Sequence, residues 1–243
     1  TMAEVREVAR DARRIVVKVG SGVLSNRGVL RQRIFTEIAG QISELCDAGR
    51  QVVLVSSGSI AMGSHTLGWS HPGRSIPEKQ AAAAVGQIGL SELYRRRFAR
   101  YGKQVAQVLV TRGGLDDRER FLNARRTLMT LLDLGVVPIV NENDTVATDE
   151  IEFGDNDTLS AAVATLVHAD LLLILTDTDG VFTADPHLVQ DARKVHKVLK
   201  ASDDLKGIDL NGSSKMGSGG MVSKIAAAEM CREHNVDVVI ANG

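Results

Sequence analysis

Residues Arg14 to Gly22 read RIVVKVGSG. Four of the first six side chains are Ile or Val with no polar alternation, the pattern of a strand covered on both faces, as in a parallel sheet. Lys18 interrupts the run, and an unpaired buried lysine is costly enough that one inside such a strand points to a task. Directly after it, Gly20-Ser21-Gly22 forms a turn whose backbone N–H groups can approach an anion closely. A lysine beside that turn adds a point charge, so the segment suits a polyphosphate. Taken alone, it suits a surface lysine before a tight turn equally well.

The same unit recurs along the chain. Arg31–Ala48 carries Ile34, Ile38, Ile42 and Leu45 at helical spacing, with Gly49 as a C-terminal cap. Further strands are expected at Gln51–Ser56, Gln104–Thr111, Val136–Asn141, Asp170–Thr176 and Val236–Ala241. Helices are expected at Pro77–Tyr101, Asp116–Leu134, Asp157–His168 and Gly220–His234. This βαβα alternation predicts an α/β fold, a three-layer α/β/α sandwich around a mostly parallel central sheet. No internal repeat or low-complexity linker divides it, so residues 1–243 read as one domain, if a two-lobed one. In such sheets ligands bind beyond the carboxyl ends of the strands.

Composition narrows the function classes. Aromatic residues make up only 3% of the chain, so the core must be aliphatic. The formal charge of -1 leaves no electrostatic footprint for nucleic acid, and the arginines at 95–97 and 118–126 read as solvated helix faces. Cys46 and Cys231 share no metal-ligand or disulfide spacing, and each reads as a buried, inert thiol. No apolar run approaches the ~20 residues that span a bilayer, and Thr1–Arg14 has no signal-peptide core. A cytoplasmic location is expected. Trp69, with His65 and His71, lies in a polar loop (Gly68–Pro77) without ligand spacing, so a mobile loop or subunit contact is expected there rather than a metal site.

Chemistry-bearing residues collect after the strands. Ser56-Ser57-Gly58-Ser59 can hold a small polar ligand or simply cap a helix. Asn141-Glu142-Asn143-Asp144 is followed by Gly154-Asp155-Asn156-Asp157, two patches of amides and carboxylates. One such patch is an ordinary polar turn, but two suit a zwitterionic amino acid, with carboxylates for the ammonium group and amides at a helix start for the anion. Thr176-Asp177-Thr178-Asp179-Gly180 suits a ribose or metal, or is an Asp-Gly turn. Finally, Gly217-Ser218-Gly219-Gly220 runs into a helix bearing Lys224, where the helix N-terminus and the lysine both favour an anion. The GxxxxGK[ST] and GxGxxG nucleotide motifs are absent, as are the HRD and DFG of protein kinases.

In this order the loops resemble the amino acid kinase family, and most closely its glutamate 5-kinases. The resemblance rests on Val16–Leu24, Val55–Gly63, Ala83–Gln87, Asp117–Arg125, Pro138–Thr148, Phe153–Asp157, Leu172–Pro186 and Gly217–Lys224. It implies ATP-dependent phosphorylation of the side-chain carboxylate of L-glutamate, the first step of proline synthesis, with Mg²⁺. It further implies glutamate binding mainly in the N-terminal part and ATP binding mainly in the C-terminal part. By resemblance, Lys18, Lys224 and Asp157 are catalytic, with Asp157 orienting both lysines and the Mg²⁺ sphere. Ser57, Gly58, Asn141, Asp144, Asp155 and Asn156 bind glutamate. Lys18, Gly20, Ser21, Gly22, Thr176, Asp177, Ser218, Gly219, Gly220, Met221, Val222, Ser223 and Lys224 bind the nucleotide. No residue is assigned as a direct metal ligand.

The resemblance also implies proline as a feedback inhibitor and a homodimer or homotetramer, with no nucleic-acid or membrane partner. Two departures stand out. Many members carry a C-terminal PUA domain, which this chain does not reach: it lacks that domain or is a piece of a longer protein. Gly22 stands where many members have Ser. Alternatives are a related kinase acting on N-acetylglutamate, aspartate, carbamate or UMP, and a non-catalytic amino acid or nucleotide sensor.

Overall fold

The computed structural model describes residues 2–26, 28–147, 156–177, 180–182, 193–195 and 220–243. Six strands form the central sheet: β1 (Arg14–Val19), β4 (Gln51–Ser56), β5 (Val105–Val110), β6 (Val137–Glu142), β7 (Leu171–Thr176) and β10 (Asp237–Asn242). Their order is β10-β7-β1-β4-β6-β5 and every pairing is parallel. Two short antiparallel ribbons lie outside it, β2 (Ser25–Asn26) with β3 (Val29–Leu30) and β8 (Val181–Phe182) with β9 (Lys194–Val195).

Because side chains alternate along a strand, the sheet has two apolar faces. Ile15, Val17 and Val19 of β1, with Val52 and Leu54 of β4, pack under α3 (Gln32–Asp47) and α5 (Ile76–Ala99), where Phe35, Leu90, Tyr94 and Phe98 are buried. Val16, Val53, Val140, Leu172 and Ile174 pack on the other face. There they meet α7 (Arg118–Asp133), α8 (Asp157–Leu166) and α9 (Met221–Arg232) through Leu128, Leu159, Ala227 and Cys231. The expected three-layer architecture is thus observed. The six-stranded sheet is more uniform than expected, being wholly parallel.

Four shorter helices complete the frame. α1 (Met2–Asp11), not expected from the sequence, is tied down by Arg50, which donates to Ala9 O at 2.9 Å and Arg10 O at 2.7 Å. α2 (Ser21–Leu24) begins at the Gly20 turn. α4 (Ser59–Thr66) follows β4 through Gly58, whose φ of 110° is open to glycine but strained for other residues. A short α6 (Arg112–Leu115) precedes α7, which starts where the Asp117 side chain accepts from Arg120 N at 2.9 Å.

The Gly68–Pro77 loop is held by hydrogen bonds from Trp69 N to Ser64 O (2.8 Å) and from Gly73 N to His71 Nδ1 (3.1 Å), with Trp69 stacked on His71. In the 95–97 run Arg95 and Arg96 are exposed as expected and paired to Glu92, whereas Arg97 is half-buried and donates to Gln32 Oε1 at 2.7 Å. Among the described residues no helix is long and apolar enough to cross a membrane.

Candidate active site

The sheet order makes β1 the turning point, with β4 on one side and β7 on the other. The ends of β1, β4, β6 and β7 therefore open together, and the described parts of the loops that follow these strands lie at that edge.

Alternation decides where Lys18 goes. It shares the Val16 face of β1, toward α8 and α9, whereas a shift of one residue would send it under α5. On that face it meets Asp157, the first residue of α8: Lys18 Nζ lies 2.5 Å from Oδ1. Lys224, one turn into α9, lies 3.1 Å from Oδ2. The Ser223 hydroxyl also donates to Oδ2, at 2.8 Å. All three charged residues are buried, at 3%, 0% and 5% exposure for Lys18, Asp157 and Lys224. Burial pushes the Asp157 carboxyl up, but the charges of Lys18 and Lys224 and the hydrogen bonds from Lys18 and Ser223 outweigh it, holding the group below its ordinary value. The carboxylate is ionised at neutral pH, and the triad carries one net positive charge. That arrangement can hold an anion at the strand ends.

Gly20 lies beside this cluster: a Cβ there would sit 3.3 Å from Lys18 Nζ. A Cβ at Gly22 would sit 3.1 Å from Asp177 Oδ2, so glycine here gives the Asp177 carboxylate its room. Thr176 Oγ1 donates to Asp177 Oδ1 at 3.2 Å. Ser21 lies in the first turn of α2, Gly220 caps α9, and Met221 and Val222 open it. Ser218 and Gly219 lie outside the described residues, as does Asp155.

On the other side of Asp157 is a polar network. Asn156 Nδ2 donates to Ser57 Oγ (3.1 Å) and Asn141 Oδ1 (2.9 Å). Asn141 Nδ2 donates to Gln87 Oε1 (3.1 Å) and, at a longer 3.4 Å, to Ser59 Oγ. Ser59 in turn donates to Asp144 Oδ2 at 3.3 Å. The expected residues Ser57, Asn141, Asp144 and Asn156 are thus brought together around the Gly58 turn.

Gln87 joins the network although sequence reasoning did not single it out as a site residue, and Ser59, read only as part of the loop after β4, joins it with a definite role. The signal was present: Gln87 is the one polar side chain in AAAAVGQIGL, residues 81–90. The close packing of α4 on α5 puts them there. A Cβ at Gly86 would lie 1.8 Å from Ser59 O, and one at Gly63 would lie 1.7 Å from Ala82 O. Beneath the network, Ser56 donates to Ser57 O (2.9 Å) and so accepts from the buried Tyr94 hydroxyl (2.7 Å), bracing the turn. Burial drives the Tyr94 phenol well up.

Residues 13–242 match the model of the amino acid kinase family. The chain belongs to the amino acid kinase family. Among curated members it is 52% identical to the glutamate 5-kinase of Ralstonia nicotianae over 98% of this chain and 64% of that protein. The same identity and coverage hold for the glutamate 5-kinase of Paraburkholderia xenovorans. This amino acid kinase chain thus spans a little under two thirds of the length of the curated relatives it matches.

Of solved structures, the carbamate kinase of Giardia lamblia bound to AMP-PNP shares the fold, with a TM-score of 0.66 at 17% identity over 96% of this chain and 93% of that one. The UMP kinase of Bacillus anthracis shares it too, with a TM-score of 0.60 at 20% identity over 95% and 87%.

Proposed function

We propose that this chain is the kinase part of a glutamate 5-kinase: it transfers the γ-phosphoryl group of ATP to the side-chain carboxylate of L-glutamate, giving L-glutamyl 5-phosphate and ADP. The observation that carries the reading is the Lys18–Asp157–Lys224 triad directly beside the Ser57–Asn141–Asn156 network. The identity to glutamate 5-kinases favours glutamate over the acceptors of other family members.

The chemistry asks little of acid–base groups. A glutamate carboxylate is already ionised at neutral pH, so its oxygen attacks the γ-phosphorus without a general base while the bond to the bridging oxygen breaks and ADP leaves. The difficulty is electrostatic, because an anion must approach a polyanion. In this reading Lys18 and Lys224 face the phosphoryl group, each aimed by one oxygen of Asp157. The backbone amides of Gly20, Ser21 and Gly22, and of Ser218, Gly219 and Gly220, cradle the phosphates, with Met221, Val222 and Ser223 continuing that surface into α9. Thr176 and Asp177 contact the nucleoside end. Ser57, Gly58, Asn141, Asp144, Asp155 and Asn156 bind and align glutamate.

Both Asp157 oxygens are engaged by cations, and among the described residues no cluster of three His, Cys, Asp or Glu side chains gathers around one point. In this reading Mg²⁺ accompanies the nucleotide and neutralises phosphate charge.

The same proposal includes a cytoplasmic location, a place at the start of proline synthesis, inhibition by proline, and a homodimer or homotetramer. The test is a hydroxamate assay with ATP, Mg²⁺ and a panel of glutamate, N-acetylglutamate and aspartate. Acyl phosphate from glutamate alone supports the reading, and turnover of another acceptor in its place overturns it. Unchanged glutamate turnover in the presence of proline removes the inhibitor from the proposal.

A further inference from the structure

The polar network has a direction that can be traced from one atom. The backbone N–H of Glu142 donates to Asn141 Oδ1 at 2.9 Å. A backbone amide can only donate, so the Asn141 oxygen must face it and Nδ2 must lie on the opposite side. There Nδ2 meets Gln87 at 3.1 Å, so Gln87 must present its oxygen. Gln87 Nε2 is thereby turned toward Ser91 Oγ (3.3 Å) and Gln107 Oε1 (3.4 Å), and Ser91 also donates to Gln107 Oε1. In the other direction, Asn141 Oδ1 takes Asn156 Nδ2, which fixes the Asn156 amide and its bond to Ser57. Asn141 is buried, and among the described residues its only other acceptor for Nδ2 is the longer contact to Ser59.

Resting on the glutamate 5-kinase reading, we propose that Gln87 is a positioning residue for the glutamate subsite, holding Asn141 in one amide orientation and through it setting the faces that Asn156 and Ser57 present to substrate. The relay runs Gln107–Gln87–Asn141–Asn156–Ser57, from the exposed Gln107 on edge strand β5 to the turn after β4. Gln87 touches no reacting atom and acts through Asn141. Its place on α5 follows from neighbouring Gly86, which lets the helix come down onto Ser59.

Two substitutions test this. Q87M keeps length and helix propensity but removes the acceptor, while Q87E keeps an acceptor toward Asn141 and leaves the exposed Gln107 amide free to turn and donate. In Q87M the glutamate KM rises about tenfold, with ATP KM and kcat within about twofold of the parent. Q87E restores most of the loss. A merely structural glutamine would instead lower Tm, move both KM values and gain nothing from Q87E.

A second reading needs no turnover: the side-chain amide NMR resonances of Asn141 and Asn156 shift in Q87M and return toward the parent in Q87E. A parent chain that fails to phosphorylate glutamate removes the substrate reading, while the resonances still judge the relay. Unmoved Asn156 resonances, or an unchanged glutamate KM in an active Q87M variant, overturn the proposal.

Discussion

Replacing Asp157 by Asn tests the centre of the site. The side chain keeps its shape, loses its charge, and must turn an N–H₂ toward one of two ammonium groups that sit 2.5 and 3.1 Å from the present oxygens. Lys18 and Lys224 then both lose this buried carboxylate. Breaking a buried pair from one side costs about 3–5 kcal/mol. For a chain of this length each kcal/mol moves Tm by roughly 2–4 °C, so D157N should melt roughly 6–20 °C below the parent. Denaturant titration gives the free energy directly, and a double-mutant cycle with K18M should recover part of the loss, because removing one lysine relieves the charge that D157N strands.

The sign of the pH dependence follows from the same contacts. The Asp157 carboxyl is held below its ordinary value in the folded chain, so its stabilising contribution is full above about pH 3.9 and is lost as pH falls through the lowered value. The stability gap between parent and D157N should therefore be constant near neutrality and close below about pH 4. Turnover in the hydroxamate assay should fall about a hundredfold, since the lysines lose their aim. A D157N variant within about 1 kcal/mol of the parent that also keeps its kcat would refute the role of the triad, a threshold set by the worth of a surface pair.

Three further outcomes are expected. K224A should lose about 10²–10³ in kcat, the scale for removing one preorganised transition-state donor, while glutamate binding by calorimetry stays within a few-fold; full activity would refute its role. G86A should destabilise by about 1–3 kcal/mol or more, because its Cβ would sit 1.8 Å from Ser59 O, and a thermal melt that matches the parent would show that α4 and α5 can part freely. The Cys231 thiol, buried and pushed up to about 12, should resist a disulfide reagent at pH 8 until denaturant is added, whereas the half-buried Cys46 reacts first.

Much of this was legible because aliphatic runs and capping residues speak locally. RIVVKV and QVVLVS form strands with the expected bounds, and the helix expected over 31–48 spans Gln32–Asp47. The convergence of Lys18 and Lys224 was legible only through resemblance, since nothing local links residues so far apart. The structure adds a physical reason in the parity of β1 and the start of α8. Elements that escaped notice lack a periodic signature. SIAMGSHT of α4 is short, is broken by Gly63 and is packed against α5, so no apolar stripe marks it. The charged, amphipathic α1 gains its helix from docking on the sheet and from Arg50, a partner distant in sequence. Gln87 was visible as an oddity in an apolar run, but its partner could not be read without the crossing of α4 and α5.

Because β1 is flanked by β4 and β7, one side of the first strand stays open long after it is made. The partner on that side begins after Asp170, whose carboxylate receives the backbone amides of Arg13 and Arg14 across a separation of 157 residues at its widest. At ~5–20 residues per second, a ribosome needs roughly 8–30 s to deliver it. Throughout that interval an aliphatic strand edge is unsatisfied, and Lys18 waits for a carboxylate that does not yet exist. A nascent chain arrested before residue 157 should therefore depend on holdase chaperones, and that dependence should vanish once the seventh strand has left the exit tunnel.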